Sequence, residues 1–309
     1  PYELNLTSKL VDVAIHEKLD LLHVHYAIPH ASAAISAKHV LETYGINIPI
    51  VTTLHGTDIT LFGKDESFKP VIEYAINQSD AVTSVSDSLI ELTHKYFHIQ
   101  NKIRMIPNFI DSRLYSKEGD ISIRSQIASS DEKILIHISN FRRVKRVDDV
   151  IKVFNKVHRK VKSKLLMIGD GPERVKAENL ARELNISDSI FFMGKRKSVE
   201  DFLSVSDLFL LPSETESFGL VALEAMASGV PVISSNVGGI SEVNVHSLTG
   251  YLENVGDIDN MSKQAIYILS DDDILMKFKN NAFNHSKKFN LPNILPLYES
   301  LYNDLCFRR

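Results

Sequence analysis

The densest chemistry in this sequence lies between Pro212 and Ile233, where Glu216 and Glu224 flank Phe218, Gly219, Leu220 and Val221. An apolar strand over 208–211 runs into a Ser/Glu/Thr loop, and the spacing beyond it predicts a helix over 218–228. Ser217 is placed to cap that helix, and Gly219 lets a ligand come close to the backbone. The first amides of a helix have no intrahelical partner and sit at the positive end of its dipole, so a phosphate fits there. Glu216 and Glu224 stand about two helical turns apart, roughly 11 Å, too far for two carboxylates to share a proton. They are therefore not a glycosidase-type acid/base pair and better suit the two ends of one elongated ligand. A surface loop followed by a salt-bridged helix glutamate would show the same spacing.

A second cluster is basic. Arg142, Arg143, Lys145 and Arg146 follow a strand over 134–139 and precede a helix over 146–160. A solvated charge run is the usual reading of such a cluster. Gly169, Asp170, Gly171 and Pro172 end the next strand in a tight turn, with proline at the first turn of a helix. Met193 and Gly194 end the strand after that, with Arg196 nearby. Nearer the start, polar groups gather at three strand ends: His23, His25, Tyr26 and His30; His55, Thr57 and Asp58; Ser84 and Ser86. A histidine at a strand end is more often structural than catalytic. His94 and His98 lack a partner in register and read as surface residues. Asp257 and Asp259 form an Asp-x-Asp pair that opens a helix, so one of them is expected as an N-cap rather than a metal ligand. Cys306 has no matching base motif, and as the single cysteine it excludes an intrachain disulfide or a Cys-based zinc site.

These residues need strands and helices to hold them. Short apolar runs over 21–25, 50–54, 81–85, 103–106, 134–139, 164–168, 190–193, 208–211 and 231–234 read as strands buried on both faces. Amphipathic stretches alternate with them, over 5–18, 30–44, 68–78, 87–97, 146–160, 173–184, 198–204, 218–228, 257–268, 272–288 and 292–306. Such alternation predicts doubly wound α/β architecture. It breaks once, in the polar stretch 112–133, which places a linker around 110–120 between two Rossmann-like lobes. The expected division is 1–115, 116–285 and a C-terminal helix in 286–309 that packs back on the first lobe. A cleft at the carboxyl ends of the two sheets is the expected ligand site. The chain opens Pro-Tyr-Glu-Leu, on a helix, so a preceding segment is expected to be missing and the first lobe incomplete.

The 309 residues carry 35 Lys+Arg against 39 Asp+Glu, a formal net charge of −4, which excludes a strongly basic nucleic-acid binder. No leader-like segment and no apolar run of about 18 residues is visible, so a cytoplasmic protein without membrane insertion is expected. Self-association is left open.

The stretch with Glu216, Glu224, Ala227, Gly229 and Pro231, followed by Gly238, Gly239 and Glu242, resembles family 4 of the retaining glycosyltransferases, whose fold is two Rossmann lobes (GT-B). The resemblance implies that Glu216 reaches the donor sugar, Glu224 the nucleotide ribose, and the backbone of Phe218–Val221 the diphosphate. It implies that Arg142 and Lys145 clamp that diphosphate, with Arg143 competing for the arginine's place. It further implies that Gly171 lies near the nucleotide, that Met193 and Gly194 bond the base through their backbone, and that His55 lies near the donor sugar. His25-Tyr26-Ala27-Ile28-Pro29-His30 and His55-Gly56-Thr57-Asp58 are similar to a narrower group within the family. That group moves N-acetylglucosamine from UDP-N-acetylglucosamine to L-malate in bacillithiol biosynthesis. The expected partners are thus a nucleotide-sugar donor and a small acidic acceptor that takes hydroxyl hydrogen bonds from Tyr26 and Thr57. No metal and no cofactor are expected. Three other readings stay open: a family member with a cell-envelope sugar or lipid acceptor, a UDP-sugar 2-epimerase, and a nucleotide-sugar-binding module without activity.

Overall fold

The computed structural model describes residues 2–61, 63, 65–115 and 119–307. The chain divides into two compact units, one of residues 1–108 with 292–309 and the other of 109–291. The sequence places the divisions at 115/116 and 285/286; in the structure they fall at Asn108/Phe109 and Leu291/Pro292. Residues 116–118 of the expected linker lie outside the described residues.

Unit 1 begins with helix α1 (Tyr2–Glu17) and contains β1 (Leu22–His25), α2 (Ser32–Thr43), β2 (Ile50–Leu54), α3 (Thr57–Thr60), α4 (Lys69–Gln78), β3 (Ala81–Ser84), α5 (Asp87–Tyr96) and β4 (Ile103–Met105). The strands form one parallel sheet in the order β1-β2-β3-β4. Every residue of β2 is buried, as in a strand covered on both faces. Helix α14 (Leu291–Phe307) returns to this unit, where Ile294 and Leu301 pack with Val51 and Ile106.

Unit 2 contains α6 (Ile121–Ile127), β5 (Lys133–Ser139), α7 (Val147–His158), β6 (Ser163–Gly169), α8 (Arg174–Glu183), β7 (Ile190–Gly194), α9 (Glu200–Ser204), β8 (Leu208–Leu211), α10 (Leu220–Ala227), β9 (Val232–Ser235), α11 (Ile240–Val243), β10 (Gly250–Glu253), α12 (Ile258–Leu269) and α13 (Asp272–Ser286). Its parallel sheet runs β10-β9-β8-β5-β6-β7. Helix α7 shows how sequence makes the packing: Val147, Val150, Ile151, Phe154 and Val157 recur at helical spacing and all are buried against the sheet. Asp148 and Asp149 occupy its first turn, where the helix dipole favours them. Phe141, Phe154 and Phe209 are fully buried, and each such side chain contributes about 1.5–3 kcal/mol.

Strand β5 has β6 on one side and β8 on the other. That reversal of strand order is the topological switch point, outside which α/β sheets bind ligands at the strands' carboxyl ends. The loops leaving β5 and β8 carry Lys145 and Glu216.

Two elements differ from expectation. Helix α6 lies in the stretch read as strandless and polar; it buries none of its own residues. Arg124 holds it by donating to Val205 O, Glu132 O and Asp207 Oδ2, contacts with distant residues that no local pattern announces. Strand β10 was not expected at all, because it begins at a glycine and Gly250 reads as a turn.

Candidate functional site

After β5 the chain makes a single 3-10 turn, Arg143–Lys145. Lys145 Nζ lies 2.6 Å from Glu216 Oε1, and Ser213 Oγ donates to the same oxygen at 2.8 Å. Glu214 N donates to Val144 O at 2.8 Å, so the loops after β5 and β8 are tied by backbone as well as by charge. Gly239 N donates to Glu216 O at 2.9 Å. A side chain at Gly238 would put its Cβ 2.1 Å from that same carbonyl, so only glycine lets this turn pass under Glu216.

Helix α10 starts three residues after Ser217. Its N-cap is Gly219, at φ 89°, which corrects the expectation that Ser217 is the N-cap residue. A left-handed backbone suits glycine. The first intrahelical bonds run from Ala222 N and Leu223 N to Gly219 O, so the amides of Leu220 and Val221 lie ahead of them. A helix start of this kind suits an anion. The Phe218 side chain is buried and packs edge-on against Phe289, 5.9 Å between centroids. It is a core residue, and its backbone is what it can offer a ligand.

Arg142 and Arg143 diverge. Arg142 lines a hollow of about 510 Å³ together with Ser139, Asn140, Gly171 and Lys195. Arg143 lines a separate hollow with Arg146, Asp149 and Glu214. The structure therefore groups Arg142 with Gly171 and leaves Arg143 with an ion-pair network. Met193 and Gly194 end β7, as expected from sequence. Arg196 lies over the Phe202 ring, 5.9 Å from its centroid, while Lys195 lines the hollow.

Three residues here escaped sequence reasoning. Lys195 sits in a basic run from which Arg196 was singled out instead. His137 is fully buried in β5; its Nδ1 lies 2.8 Å from Leu210 O and its Nε2 2.8 Å from Ser139 Oγ. Burial depresses its pKa to about 4 against the opposing hydrogen bond to Leu210 O, and repulsion from Lys145 adds to the lowering, so it is neutral. It braces the turn that leads to Arg142. The third is Tyr115, whose phenol pKa is pushed up by burial first and then by the nearby Glu224 carboxylate.

In unit 1 the polar groups meet at the ends of β1, β2 and β3. His25 Nδ1 lies 2.8 Å from His55 Nε2, and the Tyr26 ring stands 5.2 Å from that of His55. His23 is held between Tyr302 Oη at 2.6 Å and Thr53 Oγ1 at 2.7 Å, and Thr53 meets Thr83 at 2.6 Å. Burial, with repulsion from neighbouring histidines, lowers the pKa of both His23 and His55 to about 4. Asp58 is buried and accepts from Ala27 N at 2.8 Å and Gly56 N at 3.1 Å, which locks the loop after β2 to the loop after β1. Tyr26 adopts φ 76°, ψ 137°, a conformation costly for a residue with a Cβ and common at functional sites. Thr57 opens α3 with its side chain exposed.

Asp257 caps α12, its Oδ1 accepting from Asn260 N at 3.0 Å. Among the described residues, no group of three or more His, Cys, Asp or Glu could hold a metal ion. No helix of the described residues is long and apolar enough to cross a membrane.

A parallel sheet with a switch point, a lysine–glutamate pair on the loops beside it and a glycine-led helix suit a glycosyltransferase. The chain belongs to the glycosyl transferases group 1, which residues 120–285 match, and residues 1–114 match Glycosyltransferase Family 4. It is 48% identical over 307 residues, 99% of this chain and 80% of the relative, to the N-acetyl-alpha-D-glucosaminyl L-malate synthase of Bacillus anthracis. It is 25% identical over 311 residues to the 2-deoxystreptamine N-acetyl-D-glucosaminyltransferase of Niallia circulans, covering 92% of this chain and 76% of that one. The fold is also that of Anabaena Alr3699/HepE, solved with UDP and glucose (TM-score 0.83, 20% identity, 96% of this chain and 80% of that one). The sucrose-phosphate synthase of Thermosynechococcus elongatus shares it too (TM-score 0.82, 23% identity, 97% of this chain and 77% of that one).

Proposed function

We propose that this glycosyltransferase moves N-acetylglucosamine from UDP-N-acetylglucosamine to L-malate with retention at the anomeric carbon. The observation that carries the donor half is the Lys145–Glu216 pair beside the glycine-led start of α10. The acceptor half is supported by the likeness to the malate synthase.

In this reading Arg142, Lys145 and the amides of Leu220 and Val221 hold the diphosphate, and Glu224 accepts from the ribose. Gly171 and the backbone of Met193 and Gly194 face the nucleoside, and Glu216 accepts from a hydroxyl of the sugar. The bond from the anomeric carbon to the β-phosphate oxygen breaks as the malate hydroxyl oxygen bonds to the same face. The malate proton passes to the departing phosphate oxygen, so UDP leaves carrying both the electron pair and the proton. Charge grows on the diphosphate as the bond breaks, and the fixed cations then bind it more strongly than in the ground state. On unit 1, His55 meets a sugar hydroxyl, and Tyr26 and Thr57 donate to malate carboxylate.

An acceptor screen with UDP-N-acetylglucosamine tests this. Hydroxy acids, envelope sugars and a donor-only control are run side by side. Malate should be the acceptor consumed. Consumption of an envelope acceptor instead, or a 2-epimer from donor alone, would replace the malate reading.

A further inference from the structure

Strand β5 pairs with β6 along its whole length, from Lys133 opposite Ser163 to Ser139 opposite Gly169. With β8 it pairs only where Leu135 faces Leu208 and Ile136 faces Phe209. The next residues along, His137 and Leu210, are joined by a side chain instead: His137 Nδ1 lies 2.8 Å from Leu210 O. At that level β8 keeps its pairing with β9, Leu210 facing Ile233. The sheet therefore opens on the β8 side of β5, where the strand order reverses, and an imidazole spans the opening.

The protons of this link run one way. A carbonyl oxygen only accepts, so His137 Nδ1 carries the ring proton and donates it to Leu210 O. The ring is fully buried and neutral, which leaves Nε2 as an acceptor. Ser139 Oγ, 2.8 Å away, donates to Nε2 and accepts in turn from Phe141 N at 3.2 Å. The amide of Phe141 can only donate and the carbonyl of Leu210 can only accept, so the two ends fix the roles of the groups between them.

One end of the link is the loop that bears the cations. Phe141 is fully buried, adopts φ 39° and lies stacked 6.0 Å from the His137 ring. A positive φ is costly for a residue with a Cβ and persists where the surroundings dictate it. Glu173 N donates to Phe141 O at 2.9 Å, and a Cβ at Gly171 would stand 2.1 Å from Asn140 O, so the turn after β6 closes on the same loop. Arg142 follows directly, with Lys145 in the 3-10 turn beyond it. At the other end, Leu210 leads into the loop where Ser213 and Glu216 meet Lys145.

We propose that His137 is a positioning residue for sugar transfer: its ring replaces backbone pairing where β5 and β8 part, and so sets the gap between the loop that carries Arg142 and Lys145 and the loop that carries Glu216. The proposal rests on the reading of unit 2 as the donor site. Being fully buried, His137 acts through Ser139 and Phe141 on the cations and through Leu210 on the glutamate. The Lys145–Glu216 contact alone would not keep this spacing once the lysine turns to diphosphate. The His137 link depends on neither residue and persists.

Steady-state kinetics with UDP-N-acetylglucosamine varied at saturating L-malate, with thermal denaturation of each preparation, test this on the whole chain. His137→Asn keeps a donor near the Nδ1 position and releases Ser139, whereas His137→Gln reaches Ser139 with an acceptor and releases Leu210. Each should lower kcat about ten- to a hundredfold while the donor KM moves about threefold or less. Ser139→Ala removes a single oxygen and should act in the same way. In the His137→Asn background it should cost nothing further, because both changes cut one link. A merely structural role would lower the denaturation midpoint and leave kcat per folded molecule alone. Full kcat in folded His137→Asn and Ser139→Ala, or losses that simply add, overturns the proposal. If Arg142→Ala and Lys145→Ala lower kcat while the His137 variants do not, the proposal alone fails. If those two also leave kcat untouched, the donor reading of unit 2 fails with it.

Discussion

Lys145 and Glu216 form an ion pair at 2.6 Å in which both side chains are largely withdrawn from solvent, 21% and 11% exposed. The two charges come from the loops after the strands that flank the switch point of one sheet, and each neutralises the other. Under the proposed function, diphosphate competes for the lysine and a sugar hydroxyl for the carboxylate, so donor binding exchanges one set of partners for another. Lys145→Ala should lower kcat by about 100- to 1000-fold, more than it raises the donor KM. Steady-state kinetics with donor varied gives the split, and an effect confined to KM would mean that Lys145 holds ground and transition states equally.

Gly238 supports Glu216 from below. Gly238→Ala puts a Cβ 2.1 Å from Glu216 O, at a φ of +53°, so the Glu216 backbone has to shift. Small displacements of a reacting group are expensive, and kcat should fall about tenfold or more while the protein remains folded. Turnover and thermal denaturation on one preparation are compared. Full turnover in the variant would show that the position of Glu216 does not limit the reaction.

Thr57 gives the acceptor prediction. Its exposed hydroxyl opens α3. A hydrogen bond to a carboxylate contributes roughly 1.5–3 kcal/mol, so Thr57→Val should raise the malate KM about ten- to a hundredfold. UDP affinity should not change. Malate kinetics that match the parent would remove Thr57 from the acceptor site.

Three histidines, His23, His55 and His137, have pKa values depressed to about 4 against an ordinary 6.5. Between those values the unfolded chain binds protons that the folded chain refuses, so stability falls with pH. It should be level above about 6.5 and decline down to about 4. His137, fully buried, accounts for a loss on the order of 3 kcal/mol by the lower end. Urea midpoints at pH 7, 5.5 and 4.5 measure this. A midpoint that holds steady across that range would place the histidines in solvent.

The parallel sheets were legible because their strands are apolar on both faces, as β2 and β8 show. The Lys145–Glu216 neighbourhood could be read because both residues lie on loops that follow apolar strands and fall at the spacing of the motif. What stayed hidden depends on contacts between distant residues. Tyr115 looks like any loop aromatic until α10 presents Glu224, and His137 looks like a core strand residue until Ser139 and Leu210 bracket it. Helix α6 is held by Arg124 rather than by an apolar stripe, so periodicity cannot find it. The start of α10 was misplaced because Ser217 is the better capping residue by type, whereas Gly219 takes the left-handed backbone that begins the helix.

The account is tested most directly by proton NMR of the chain incubated with UDP-N-acetylglucosamine and L-malate. It predicts malate-dependent release of UDP, matched by a glycoside of malate whose anomeric proton keeps the α configuration of the donor. UDP release that does not depend on malate, or a β-linked product, would contradict it.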